Sequence, residues 1–171
     1  REGGANKLRL RQRRDLLARF LNHADYIDVE LRSVHALHAL LANAKTKKVR
    51  QIISFHDFKS TPSARILTAK ARQARSHGAD IFKVATRTDT PMELGRLLVF
   101  MTNSRLNLSL AVMGIGKLGA ISRVLLARAG SEGRAPFSLV LGSTPERASV
   151  RNVSSVSIVT GTLLSACNLA A

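Results

Sequence analysis

The chain has 171 residues, 45% of them hydrophobic and 22% charged, which is enough for a packed core and excludes a disordered or low-complexity chain. A single cysteine, Cys167, excludes a disulfide framework and a cysteine-rich zinc centre. The net charge of +16 favours an anionic partner, but the bases are spread along the predicted helices and only 4% of residues are aromatic, which argues against a nucleic-acid-binding platform.

Leu16, Leu17, Phe20 and Leu21 recur at helical spacing within a basic stretch and predict an amphipathic helix over 9–24. A short strand follows at 26–31 (YIDVEL), then a Leu- and Ala-rich helix at 34–44 and a strand at 49–58 (VRQIISFHDF). Thr61 is the expected cap of the next helix, with Pro62 at its first position and Gly78 closing it. The strand 79–86 (ADIFKVAT) comes next, and Thr90 and Pro91 repeat the cap-plus-proline start for a helix to Asn103. A strand at 106–113 (LNLSLAVM) and a helix at 118–129 complete the alternation.

Strands and helices alternating at intervals of about 25 to 30 residues imply parallel strands with right-handed crossovers. An open doubly wound sheet and a (β/α)8 barrel both satisfy that order. Glu30, His56 and Lys83 fall at or near the C-terminal ends of three consecutive strands, which is where barrels carry their chemistry. From Asn152 onward the tail carries no charge, yet its serines, threonines and asparagines make it too polar for a membrane span. A buried terminal helix is expected there. No signal-peptide pattern opens the chain at Arg1, and with one cysteine the expected compartment is the cytoplasm.

Four features carry candidate chemistry. His56 shares a strand face with Ile52, Ser54 and Phe58, and a polar pair on a buried parallel strand needs a reason. Alone it would read as a core histidine with a satisfied ring. Lys83 interrupts an otherwise apolar strand, and desolvation of its ammonium frees an amine to attack a carbonyl. The bland alternative is a lysine snorkelling to solvent from a strand end. Together, one strand apart, the two make a Schiff-base nucleophile beside a general base. Gly114, Gly116 and Gly119 match GxGxxG between a strand and a helix, but no acidic residue ends a clear strand at the distance a dinucleotide site requires. These glycines suit a close backbone approach to an anionic substrate equally well. Arg123 follows on the next helix, where its planar donors suit a carboxylate; without such neighbours it would read as a surface arginine.

REGG at Arg1 to Gly4, YIDVEL, SFHDFKSTPS at Ser54 to Ser63, ADIFKVAT, and VMGIGKLGAISR at Val112 to Arg123 occur in one order and spacing. In that combination the chain resembles the type I 3-dehydroquinate dehydratases over roughly its first 130 residues. The resemblance implies an α/β fold of the (β/α)8 family and a hydro-lyase converting 3-dehydroquinate to 3-dehydroshikimate in the shikimate pathway. Lys83 would form the imine with the substrate ketone, and His56 would act as general acid and base. Glu2 would orient His56, with Asp28 supporting the same network. Arg123 would hold the substrate carboxylate, and Met113 and Phe58 would line the pocket. Ser143, in Ser143-Thr144-Pro145, is the nearest match to the family's substrate-covering loop. No cofactor, metal, nucleic acid or membrane is implied, and a homodimer is left open.

Two departures qualify the match. The family's segment ahead of the EGG turn, with three barrel strands and further arginines, has no counterpart here. The family's Pro-Gly-Gln lid is also missing, and the stretch after Glu132 looks unrelated. The expectation is therefore an incomplete barrel of about five parallel strands over 1–131, with an atypical segment over 132–171 supplying a terminal strand and helix. A catalytically inactive relative, kept as a binding or regulatory module, is the alternative from a different class. A basic nucleic-acid-binding domain and a class I aldolase fit fewer of the motifs.

Overall fold

In a computed structural model of the chain, residues 8–103, 106–132 and 158–160 are described. The elements in chain order are α1 (Leu10–Phe20), β1 (Tyr26–Glu30), α2 (His38–Thr46), β2 (Arg50–Asp57), α3 (Ala64–Ser76), β3 (Ile81–Arg87), α4 (Pro91–Asn103), β4 (Ser109–Ile115), α5 (Gly119–Glu132) and β5 (Ile158–Thr160). The chain divides into two compact units, Arg1–Gln51 with Gly142–Ala171, and Ile52–Leu141.

In the first unit the amphipathic reading of α1 holds. Leu17 and, one turn on, Leu21 are buried, while Arg11, Arg14 and Arg19 face water. A single 3-10 turn, Leu31–Ser33, separates β1 from α2, so α2 starts four residues later than its composition suggests. Gln51 Nε2 donates to Leu41 O at 2.9 Å and satisfies a buried amide. β5 lies parallel to β1, with Tyr26 level with Ile158 and Asp28 with Thr160. Two of its three residues are Ile and Val, whose branched Cβ favours the pleated form, and Thr160 is branched as well.

In the second unit β2, β3 and β4 pair in sequence, all parallel, as right-handed β/α crossovers require. The side chains alternate between two faces. Phe82, Val84, Leu110 and Val112 are almost fully buried on the face that meets the helices, where Phe82 packs edge-on to Phe100 of α4 at 6.4 Å. Leu67, Leu97 and Leu126, from α3, α4 and α5, are likewise buried. Ile52, Ser54 and His56, then Ile81, Lys83 and Ala85, then Ser109, Ala111 and Met113 share the opposite face.

The helix starts differ in an instructive way. Thr90 caps α4 as expected: its Oγ1 accepts from Glu93 N at 3.3 Å, Pro91 is the first helical residue, and Glu93 reaches back to Thr90 N. Thr61 does not cap α3. That role falls to Ser63, whose side chain accepts from Ile66 N, because the hydroxyl of Thr61 is engaged elsewhere. Gly78 closes α3 in the left-handed region, at φ 86°.

Candidate active site

Lys83 is the third residue of β3, level with Ser54 on β2 and Ala111 on β4. It therefore sits mid-strand, deeper than the strand-end position its sequence context suggested. His56 lies one pleat higher, level with Ala85 and, one strand further, Met113. Both side chains are half-buried and emerge on the same face. The neighbours of Lys83 on that face are Ser54, Ala85 and Ala111, with Ile81 behind it. Three of the four carry small side chains.

β2 ends at Asp57, and Phe58 lies just beyond it rather than on the strand face. Phe58 is 51% exposed, and its ring stacks on the His56 imidazole, with centroids 5.9 Å apart and planes 8° from parallel. The backbone turns there because Asp57 Oδ1 accepts from Lys59 N at 2.9 Å and Ser60 N at 3.2 Å. His56 is thus held from one side by an aromatic plate on a turn that the next residue anchors.

Met113 is buried. Arg123 lies in the first turns of α5, half-buried, and its Nε is buried without a hydrogen-bond partner among the described residues. A buried guanidinium N–H of this kind is costly unless something accepts from it. Asp28 is a buried carboxylate in the middle of β1, in the first unit. Glu2 and Ser143 lie outside the described residues.

The loops at this end of β3 and β4 form a polar clasp that the sequence reading overlooked. Thr61 Oγ1 is 2.6 Å from Arg87 O, 2.9 Å from Thr86 Oγ1 and 3.1 Å from Thr88 Oγ1, and all three threonines are fully buried. Glu93 accepts from Asp89 N at 2.9 Å and from Thr61 N at 3.3 Å; these backbone donors, with the Thr90 groups, hold its carboxyl below the ordinary glutamate range. Asp89 accepts from Lys117 N at 2.9 Å and from Arg87 Nε at 2.6 Å, and in that order these bonds lower its own pKa. Five consecutive residues, Thr86 to Thr90, are polar where β3 ends, and that density was the available signal.

The GxGxxG stretch also has a different reason than expected. A Cβ on Gly114 would come within 2.7 Å of Ser122 Oγ and 2.9 Å of Thr88 Oγ1. Gly116 has φ 94°, and a Cβ there would overlap Asp89 Oδ1. These two glycines are required by the protein's own side chains, and they do not form an open cradle for a ligand. Among the described residues no group of three His, Cys, Asp or Glu is disposed to hold a metal ion.

The family model described as type I 3-dehydroquinase matches residues 1–139. The chain is 39% identical over 104 residues to the 3-dehydroquinate dehydratase of a Geobacillus species, covering 58% of this chain and 39% of that one. It is 35% identical over 114 residues to the enzyme of that name from Shouchella clausii, covering 65% and 44%. The solved structure of 3-dehydroquinate dehydratase from Geobacillus kaustophilus aligns with a TM-score of 0.70 at 27% identity, covering 96% of this chain and 57% of that one. The Enterococcus faecalis structure gives 0.69 at 27%, covering 75% and 56%. The β/α order is accordingly that of part of a (β/α)8 barrel, and the chain spans less than half of the length of the two curated relatives described.

Proposed function

Because the chain belongs to the type I 3-dehydroquinase family, we propose that it dehydrates 3-dehydroquinate to 3-dehydroshikimate through an imine on Lys83, with His56 as general acid and base. In this reading the Lys83 amine attacks the substrate ketone and water leaves as the imine forms. His56 takes the proton from the carbon next to the imine, and the imine accepts the electron pair as a sink. The pair then expels the neighbouring hydroxyl, which leaves as water with a proton returned by His56. Hydrolysis of the imine releases the enone product and regenerates the amine. Arg123 holds the carboxylate, which supplies the acceptor that its buried Nε otherwise lacks. The substrate is a small organic acid of the shikimate pathway, handled in the cytoplasm without metal or cofactor.

The observation that carries the reading is the shared face. Lys83 and His56 emerge on the same side of the β2–β3 pair, and the neighbours of Lys83 there, Ser54, Ala85 and Ala111, are small. Incubation with dehydroquinate and borohydride, followed by peptide mass analysis, tests it. The expected result is a reduced adduct on the Lys83 peptide. Its absence would favour the second reading, an inactive relative kept as a binding or regulatory module, which the partial coverage of the relatives' length motivates.

A further inference from the structure

We propose that Asp89 is a positioning residue for the substrate carboxylate: it pins the turn between β4 and α5, and through that turn sets the place of Arg123. The inference rests on the reading of Arg123 given above and adds a residue to it.

Between β4 and α5 the turn is only Gly116, Lys117 and Leu118, and Gly116 imposes little backbone restraint of its own. Besides the bond from Gly119 N to Gly116 O at 3.0 Å, the turn is held by the β3–α4 loop. Thr88 N donates to Ile115 O at 2.7 Å, and Leu118 N donates to Thr88 O at 3.0 Å. Asp89 Oδ1 accepts from Lys117 N at 2.9 Å, while its other oxygen pairs with Arg87 Nε at 2.6 Å. Both Asp89 oxygens are therefore engaged, one on the turn and one on the strand end that supports it. Gly116 adopts φ 94°, and a Cβ there would occupy the position of Asp89 Oδ1, so the glycine and the carboxylate specify each other. Beyond the turn, Ser122 Oγ donates to Gly119 O at 2.7 Å and accepts from Gly114 N at 3.1 Å, which ties the first turn of α5 back to β4. Arg123 is the next residue. Ser122 N also donates to Leu118 O at 2.8 Å. Asp89 and Thr88 thus hold Lys117 and Leu118, and Leu118 in turn holds Ser122, the residue beside Arg123.

The side chain of Asp89 does not lie on the Lys83 face, since β3 ends at Arg87 and its carboxylate is committed to Arg87 and the turn. Its loss should therefore weaken substrate binding and spare the covalent chemistry. In Asp89→Ala, KM for dehydroquinate should rise on the order of 10- to 100-fold, the scale expected for a misplaced binding group, while kcat at saturation stays within about 2-fold. Asp89→Asn keeps an acceptor for Lys117 N and should recover most of the loss. Gly116→Ala should reproduce the Asp89→Ala effect, and the double variant should be no worse than either single one. Amide hydrogen exchange at Lys117 and Leu118 should accelerate in Asp89→Ala without substrate present. Unchanged exchange overturns the proposal whatever the activity, and faster exchange with an unchanged KM overturns it as well. Arg123→Lys serves as the separate control: if that variant leaves KM unchanged while Asp89→Ala raises it, the assignment of the carboxylate to Arg123 fails, and with it the route proposed for Asp89. If the unaltered protein binds no dehydroquinate, the proposed function is overturned and this inference with it.

Discussion

Lys83 and His56 stand on one face of the β2–β3 pair but one pleat apart, with Ser54 level with the lysine and Ala85 level with the histidine. Two residues of strand rise about 6.6 Å, a distance that an extended lysine side chain matches. A mid-strand lysine can therefore present its amine at the level of the imidazole while its stem stays among Ser54, Ala85 and Ala111. This placement makes Lys83→Met a clean test. The substitution preserves an unbranched apolar stem, so the helical circular dichroism should be unchanged while the borohydride-trapped adduct disappears. An adduct that persists, or one that maps to Lys117, removes Lys83 from the mechanism.

His56→Ala separates imine formation from elimination. The variant should still be trapped on Lys83, but product formation should fall by about 10²- to 10⁴-fold, the usual contribution of a general acid–base group. Retention of nearly full elimination would mean that the imidazole, stacked on Phe58, is a structural element of the β2 terminus.

Thr61 is fully buried, and its hydroxyl proton goes to Arg87 O, the shortest of its contacts and a carbonyl with nothing to donate. Thr61→Val keeps the shape and removes both the donor for that carbonyl and the acceptor for Thr86. Leaving buried groups unsatisfied costs about 1–3 kcal/mol each, so urea unfolding should show a loss of that order, with Thr61→Ser close to the original. A Val variant of unchanged stability would show that the threonine cluster is not a source of stability.

Acid should loosen the same clasp. Asp89 and Glu93 have pKa values below their ordinary ones, through the backbone N–H of Lys117 and then Arg87 for the first, and the backbone N–H of Asp89 for the second. For groups lowered on folding, the stabilisation is complete above the unfolded pKa and is lost as pH falls through the folded value. Stability should hold above about pH 5 and decline below about pH 4, where carboxylates begin to take up protons. Because both groups lie near the surface, the effect should be modest and should shrink with added salt. Thermal melts of Asp89→Asn should fall less steeply than those of the original protein over the same acid range; parallel curves would exclude Asp89 as a contributor.

The alternation of strands and helices, the basic amphipathic α1, the Thr90-Pro91 start of α4 and the succession of a histidine strand and a lysine strand were legible in the chain. Each of these is written in local periodicity or in a short motif, so no distant residue is needed to read it. What depends on register and on loops meeting was not legible there. Lys83 proved to be the third residue of β3, because the strand starts at Ile81, two residues later than its composition suggests, and runs to Arg87. Thr61 left the cap of α3 to Ser63 because Arg87 O, 26 positions away, offered its hydroxyl a buried partner. Gly114 and Gly116 of the GxGxxG stretch answer to Thr88, Ser122 and Asp89. A hydroxyl or carboxylate chooses its partner in three dimensions, and burial makes that choice energetically decisive, so only the folded chain reveals which partner wins.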